Sequence, residues 1–169
     1  MPNWCEGNIR LRGKRNAIAE FLRNEIQYTG YEKLADGPVT GMVEINDEYG
    51  EVSVRFPEEK KNLSFAAFYI KDTRRNFIDG NCFEVYMDDE DVDEVHTVCI
   101  DGFKAAWGIE PAPYIAKAKK YGIDIRIVGF ERGMEFMQEI EIVDDELLKN
   151  DEIQYDNWKW ECPMPNMGG

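Results

Sequence analysis

Basic residues are missing where this 169-residue chain is most acidic: between Asn76 and Phe103 there are nine Asp or Glu and no Lys or Arg. Histidine is scarce as well, with His96 the only one. Cys5, Cys82, Cys99 and Cys162 form no Cys-x-x-Cys pair. His96 and Cys99 have a ligand-like spacing, but a zinc site needs about four ligands, so no metal is expected. Scattered cysteines of this kind are read as unpaired thiols in a reducing compartment. No apolar run approaches the ~18 residues that a membrane helix needs, and Met1-Pro2-Asn3-Trp4 does not open a signal peptide. The expectation is a cytoplasmic protein with no membrane association. Phosphate-cradling motifs of the G-x-x-x-x-G-K-[ST] and G-x-G-x-x-G types are also lacking. No Ser or Cys stands in a nucleophile motif, and nothing marks two of the 34 carboxylates as an acid and base pair. Neither a catalytic residue nor a cofactor is expected.

What is present is charge, unevenly placed. A second block, Glu131 to Glu161, holds eleven acids against three bases, and the two blocks together exceed the chain's net −14. The remainder is therefore slightly basic. A field of this sign repels nucleic acid and anionic membrane surfaces and attracts cationic ones. Apolar residues make up 43% and aromatics 12%, which is globular composition despite the charge. The length suits one domain, with a core large enough to need no staple.

Along the chain, Gly7 to Arg12 alternates, with Ile9 and Leu11 on one face, and predicts a half-buried strand ended by Gly13. Ile18, Phe21, Leu22 and Ile26 share one face of a helix that Gly30 ends. Val52, Val54 and Phe56 alternate up to Pro57, and Leu63 to Lys71 is dense enough for a central strand. The basic turn Lys71 to Arg75 leads through Asp79-Gly80 into Phe83, Val85 and Met87, a hairpin by spacing. Val95 to Ile100 is a further strand. Pro111 and Pro113 open a second helix with Ile115, Ala118 and Tyr121 on its apolar face and Gly122 as its cap. Ile123, Ile125 and Ile127 then alternate, and Glu131-Arg132-Gly133 turns the chain into Met134 to Val143. Ile153 to Trp160 and a Pro/Gly-rich tail follow. This order predicts a single α+β domain over 1–169, ferredoxin-like (split β-α-β), with both helices on one face of an antiparallel sheet and a β-hairpin inserted at roughly 72–105.

Four stretches carry a family resemblance: Met1-Pro-Asn-Trp-Cys-Glu-Gly7, Tyr69-Ile-Lys-Asp-Thr-Arg-Arg75, Phe130-Glu-Arg-Gly-Met-Glu-Phe136 and Trp160-Glu-Cys-Pro163. Together they resemble the YubB-type ferredoxin-like family of plasmid and phage proteins, in its Gram-positive branch. The resemblance implies a ferredoxin-like fold and a mobile-element origin. It implies no activity and no catalytic residue.

Two acidic features are candidate partner-binding sites. The run Asp88, Asp89, Glu90, Asp91, Asp93 and Glu94 fails as a calcium loop, because Asp93 and Cys99 occupy the positions where Gly and Glu are required. It reads as a solvated loop or as a contact for a basic protein surface. Glu135, Glu139 and Glu141 are expected on one strand face, opposite Phe136, Ile140 and Ile142. Carboxylates ~6.8 Å apart on a sheet can imitate a phosphate backbone and compete for a cationic groove. The leading expectation is a non-enzymatic protein that binds a basic, nucleic-acid-handling host protein, as an anti-CRISPR or DNA mimic would. Arg10, Arg12, Arg74 and Arg75 support an alternative, an RNA- or nucleotide-binding module, although direct nucleic-acid binding is disfavoured at a pI near 4.5. Catalysis through His96, oriented by Asp93, Glu94 or Asp101, is the third. The oligomeric state is left open.

Overall fold

The structure, a computed structural model, describes residues 3–33, 35–48, 50–88 and 93–169. In chain order the elements are β1 (Trp4–Lys14), α1 (Arg15–Glu25), β2 (Ile26–Tyr31), β3 (Pro38–Met42), β4 (Glu44–Glu48), β5 (Glu51–Arg55), β6 (Ser64–Ile70) and β7 (Asn76–Asp79). They continue with β8 (Cys82–Tyr86), β9 (Val95–Ala106), α2 (Ala112–Tyr121), β10 (Asp124–Glu131), β11 (Phe136–Val143), β12 (Glu146–Gln154) and α3 (Trp158–Glu161). Nine strands form one sheet in the order β12-β11-β10-β1-β9-β7-β6-β2-β3, and β4-β5-β8 form a second. Every adjacent pair among the described residues is antiparallel.

This overturns the ferredoxin-like expectation. The described residues are mostly β, with three short α-helices among them, and the main sheet is far wider than a split β-α-β sheet. Nor is 72–105 an inserted hairpin. β7 pairs with β6 and β9 in the large sheet, while β8 pairs with β5 in the small one. The hairpin turn is Lys71 to Arg75, which joins β6 to β7. β9, placed inside the supposed insertion, pairs with β1 from Trp4↔Ala106 to Lys14↔Val95. Alternation identified these strands but carries no information about which edges join.

Alternation also fixes the layers. Ile9 and Leu11 of β1, Val98 and Ile100 of β9, Ile125 and Ile127 of β10, and Ile140 and Ile142 of β11 are all buried in one core. Ile18, Phe21 and Leu22 of α1 and Tyr114 and Ala118 of α2 join it. The small sheet adds Val52, Val54 and Val85, with Phe56 5.0 Å from Phe68 in an edge-to-face contact. α1 stops where Ile26 becomes extended, so Ile26, expected on the helix face, and Gly30, expected to end the helix, both belong to β2. α2 ends at Gly122, at φ 63°, whose N–H donates to the Ala118 carbonyl at 2.8 Å.

The described parts of the four motif stretches lie largely toward one end of the main sheet and make structural contacts there. A Cβ on Gly7 would fall 1.8 Å from the Val128 carbonyl oxygen, so β1 and β10 approach this closely only with glycine there. Glu131 is fully buried and accepts hydrogen bonds from the Gly133 and Met134 N–H groups at 2.7 and 2.6 Å. Glu161 accepts from the N–H groups of Asp156 and Asn157 at 3.1 and 3.2 Å, ahead of α3. On the other side of the sheet from the main core, Phe130, Trp158 and Cys162 form a small second cluster with Val128, Met137 and Met167. The tail closes it: Gly169 and Trp4 exchange backbone hydrogen bonds of 2.5 and 3.1 Å.

Candidate functional site

The three β11 candidates do not share one acidic stripe. Glu139 and Glu141 lie on the sheet face away from the main core, but Glu135 sits in the turn before β11 at φ 57°. Glu139 is mostly buried and accepts from Arg126 at 2.9 and 2.5 Å, with Lys149 at 3.3 Å. Burial would raise its carboxyl, but the Arg126 and Lys149 cations outweigh that and lower it. Glu141 is 4.0 Å from Lys149 and borders a hollow of about 160 Å³ that also contains Arg10, Arg12 and Arg126. These two carboxylates are therefore answered by cations of the same sheet.

In the other predicted run, Asp93 pairs with Lys14 at 2.6 Å, and that hydrogen bond lowers its carboxyl. Asp88 and Glu94 are exposed. Asp89, Glu90 and Asp91 lie outside the described residues.

The carboxylates left unanswered lie one strand further out. Asp144, Asp145, Glu146, Asp151 and Glu152 are exposed and make no ion pair among the described residues. They occupy β12 and the turn before it, at the rim of the sheet. Glu135 lies beside the far end of this strand, where its carbonyl accepts from the Tyr155 N–H at 2.9 Å. Asp144 to Glu146 continue the acidic stretch legibly in the sequence. Asp151 and Glu152 were not singled out, because Glu146 to Gln154 shows neither clean alternation nor a helical period.

The basic candidates fall into two places. Arg10 and Arg12 project from β1 on the sheet face away from the main core. Arg12 pairs with Asp124 at 2.7 Å, while Arg10 is exposed and has no ion pair among the described residues. Arg74 and Arg75 lie in the β6–β7 turn. The Arg75 guanidinium is 5.7 Å from the Trp4 ring and 5.5 Å from the Trp107 ring. Arg74 sits 5.6 Å over Trp107 and 3.5 Å from Glu110. Both are thus engaged within the molecule. Beside them opens a cleft of about 320 Å³ lined by Trp107, Glu110, Gln138 and Glu152 among others. Gln138 holds its wall by exchanging two 2.9 Å hydrogen bonds with the Ile109 backbone.

His96 is buried on the core side of β9, with no partner for Nε2 among the described residues, whereas Asp101 projects from the opposite face. The two are not arranged as an acid and base pair. Among the described residues no group of three His, Cys, Asp or Glu side chains is placed to hold a metal, and no helix is long and apolar enough to cross a membrane. The terminal segments meet, but Cys5 belongs to the main core and Cys162 to the second cluster, and both are free thiols. No family model, curated protein or solved structure matches the chain. The YubB-type resemblance rests on its motifs alone.

Proposed function

We propose that this protein is a non-enzymatic binder whose acidic rim engages a basic protein surface, with an inhibitor of a nucleic-acid-handling host protein as the sharpest form of the idea. One observation carries the reading: five exposed carboxylates on β12 and its preceding turn have no cation of their own among the described residues, while Glu139 and Glu141 of β11 do. Like charges held together on a regular strand are unfavourable unless a cationic surface answers them. Glu94 and Glu135 are exposed and belong to the same proposal; Glu139 and Glu141 serve mainly to hold β11 against its neighbours.

The test is affinity capture at low and high salt, with wild type compared against a protein carrying Asp144→Lys, Asp145→Lys, Asp151→Lys and Glu152→Lys. The expected result is a basic, nucleic-acid-binding protein captured by wild type, released by salt and absent from the reversed variant, whose circular dichroism is unchanged. Equal capture by both proteins sinks the proposal.

A second reading, binding of RNA or a nucleotide, draws on Arg10, exposed on the sheet face that also bears Trp4 and Phe77. A mobility shift of short RNA at physiological salt, lost in Arg10→Ala, would favour it over the acidic-rim reading.

A further inference from the structure

We infer that β12 is a docking edge that accepts an extended, Lys- or Arg-bearing segment of a partner protein as an added strand. The inference rests on the binder reading above and specifies the shape of what binds. β12 is the terminal strand of the large sheet, and β11 is its only neighbour among the described residues. After an irregularity at Glu141/Ile142 its register runs unbroken from Lys149↔Glu141 to Gln154↔Phe136. Beyond it lies one side of a regular backbone with no ladder partner, the feature that strand addition uses.

The two rims of the sheet differ. β3, at the far rim, has five residues, begins with Pro38 and contains Gly41. Both features blunt an edge against pairing. β12 has nine residues with neither Pro nor Gly. Its far end is fastened, since the Gln154 side chain donates to the Met134 carbonyl at 2.6 Å and the Glu135 carbonyl at 3.2 Å. A preformed strand of this kind lowers the ordering cost of association.

Side chains along the edge define the occupant. Asp151 and Glu152 are adjacent and so point to opposite faces. Residues added directly across from them would lie roughly 5 Å away, Cβ to Cβ. A cation opposite Asp151 would sit over the face that bears Lys149 and Glu139. One opposite Glu152 would point toward the cleft lined by Arg74, Trp107, Glu110 and Gln138, where Arg74 already lies over the Trp107 ring and 3.5 Å from Glu110, so that Glu152 is the carboxylate left to receive it. Leu148 and Ile153, 61% and 46% exposed, offer apolar contacts on either side of this pair. A second copy of the chain fits less well, because it would bring another −14 to an already acidic rim.

The experiment uses a fluorescein-labelled nine-residue peptide in which Lys-Lys pairs alternate with Val-Val pairs, so that both faces carry cations, and a second with the same sequence but every backbone nitrogen methylated, so that neither edge can donate. Binding is read by anisotropy at about 0.15 M ionic strength, with amide hydrogen exchange on the protein. The expected result is binding of the first peptide, at least tenfold loss with the methylated one, and slowed exchange confined to Lys149 to Gln154. If the methylated peptide binds within twofold and Asp151→Lys with Glu152→Lys abolishes both, the acidic rim stands and strand addition falls. If both peptides bind the reversed protein as well as wild type, the binder reading fails at this edge too. Protection of the same amides in a concentration-dependent dimer without peptide would overturn the inference by assigning the edge to a second copy.

Discussion

Lys117 of α2 donates to the Glu25 carboxylate at the end of α1 at 2.7 Å, with both side chains almost wholly removed from water. Lys120 and the Tyr121 hydroxyl donate to the other oxygen at 2.8 and 2.6 Å. Burial alone would raise the Glu25 carboxyl, but these donors outweigh it and bring it down to about 2. Glu25→Ala strands the Lys117 ammonium and is expected to cost about 3–5 kcal/mol in urea unfolding. Lys117→Met leaves Glu25 two donors and should cost less, about 2 kcal/mol. Because the folded value lies below the unfolded one of about 4.3, this stabilisation is fully present above that pH and is lost as pH falls toward 2. The gap between wild type and Glu25→Gln should therefore shrink over that window; a gap that widens would contradict the assignment.

Gly7→Ala places a methyl carbon against the Val128 carbonyl oxygen, a backbone atom that cannot swing aside. The central β1–β10 pairing must open to accommodate it. We expect a loss of at least about 2 kcal/mol in thermal or urea unfolding. Gly37→Ala, whose Cβ would meet nothing within 4 Å, is the control and should be near neutral.

Glu131 accepts two backbone N–H groups inside the turn that joins β10 to β11. Glu131→Ala would leave both donors without their partner, at a cost of about 2–3 kcal/mol. Glu131→Gln keeps an acceptor oxygen and should recover part of it. Equal destabilisation by the two substitutions would show that charge, rather than the hydrogen bonds, matters there.

Thiol labelling should separate the cysteines into two pairs. Cys82 and Cys99 are exposed. Burial, helped by the Glu131, Glu152 and Glu6 charges, pushes the Cys5 thiol up to about 12, and burial also raises Cys162. Native protein at pH 8 should react quickly at two positions, identified by peptide mapping as 82 and 99. The other two should react only after denaturation.

The parts of this fold legible in the sequence were those whose burial repeats locally. β1, α2 with its Gly122 cap, β10 and β11 follow from the spacing of Ile9 and Leu11, of Ala118, of Ile123 to Ile127, and of Ile140 and Ile142. β2 was hidden because Ile26 also fits the period of the preceding helix, and β3 and β4 lie in a polar stretch where pairing across strands, rather than local alternation, sets the structure. The same limit hid the separation of β7 from β8, because the Asp79-Gly80 signal marks a bend but not whether the strands beside it pair. At the candidate site, composition showed where the acidic segments lie along the chain. It could not show that Arg126 and Lys149 stand beside Glu139, since that depends on the β10–β11–β12 register.

β1 is flanked on both sides by strands made much later, with Glu6 paired to Lys104 on one side and Phe130 on the other. During translation its Ile9 and Leu11 must wait, uncovered, until both partners have left the ribosome. Contacts so distant along the chain belong to proteins that fold in milliseconds to seconds. Through that interval the apolar face of β1 stays open to other chains.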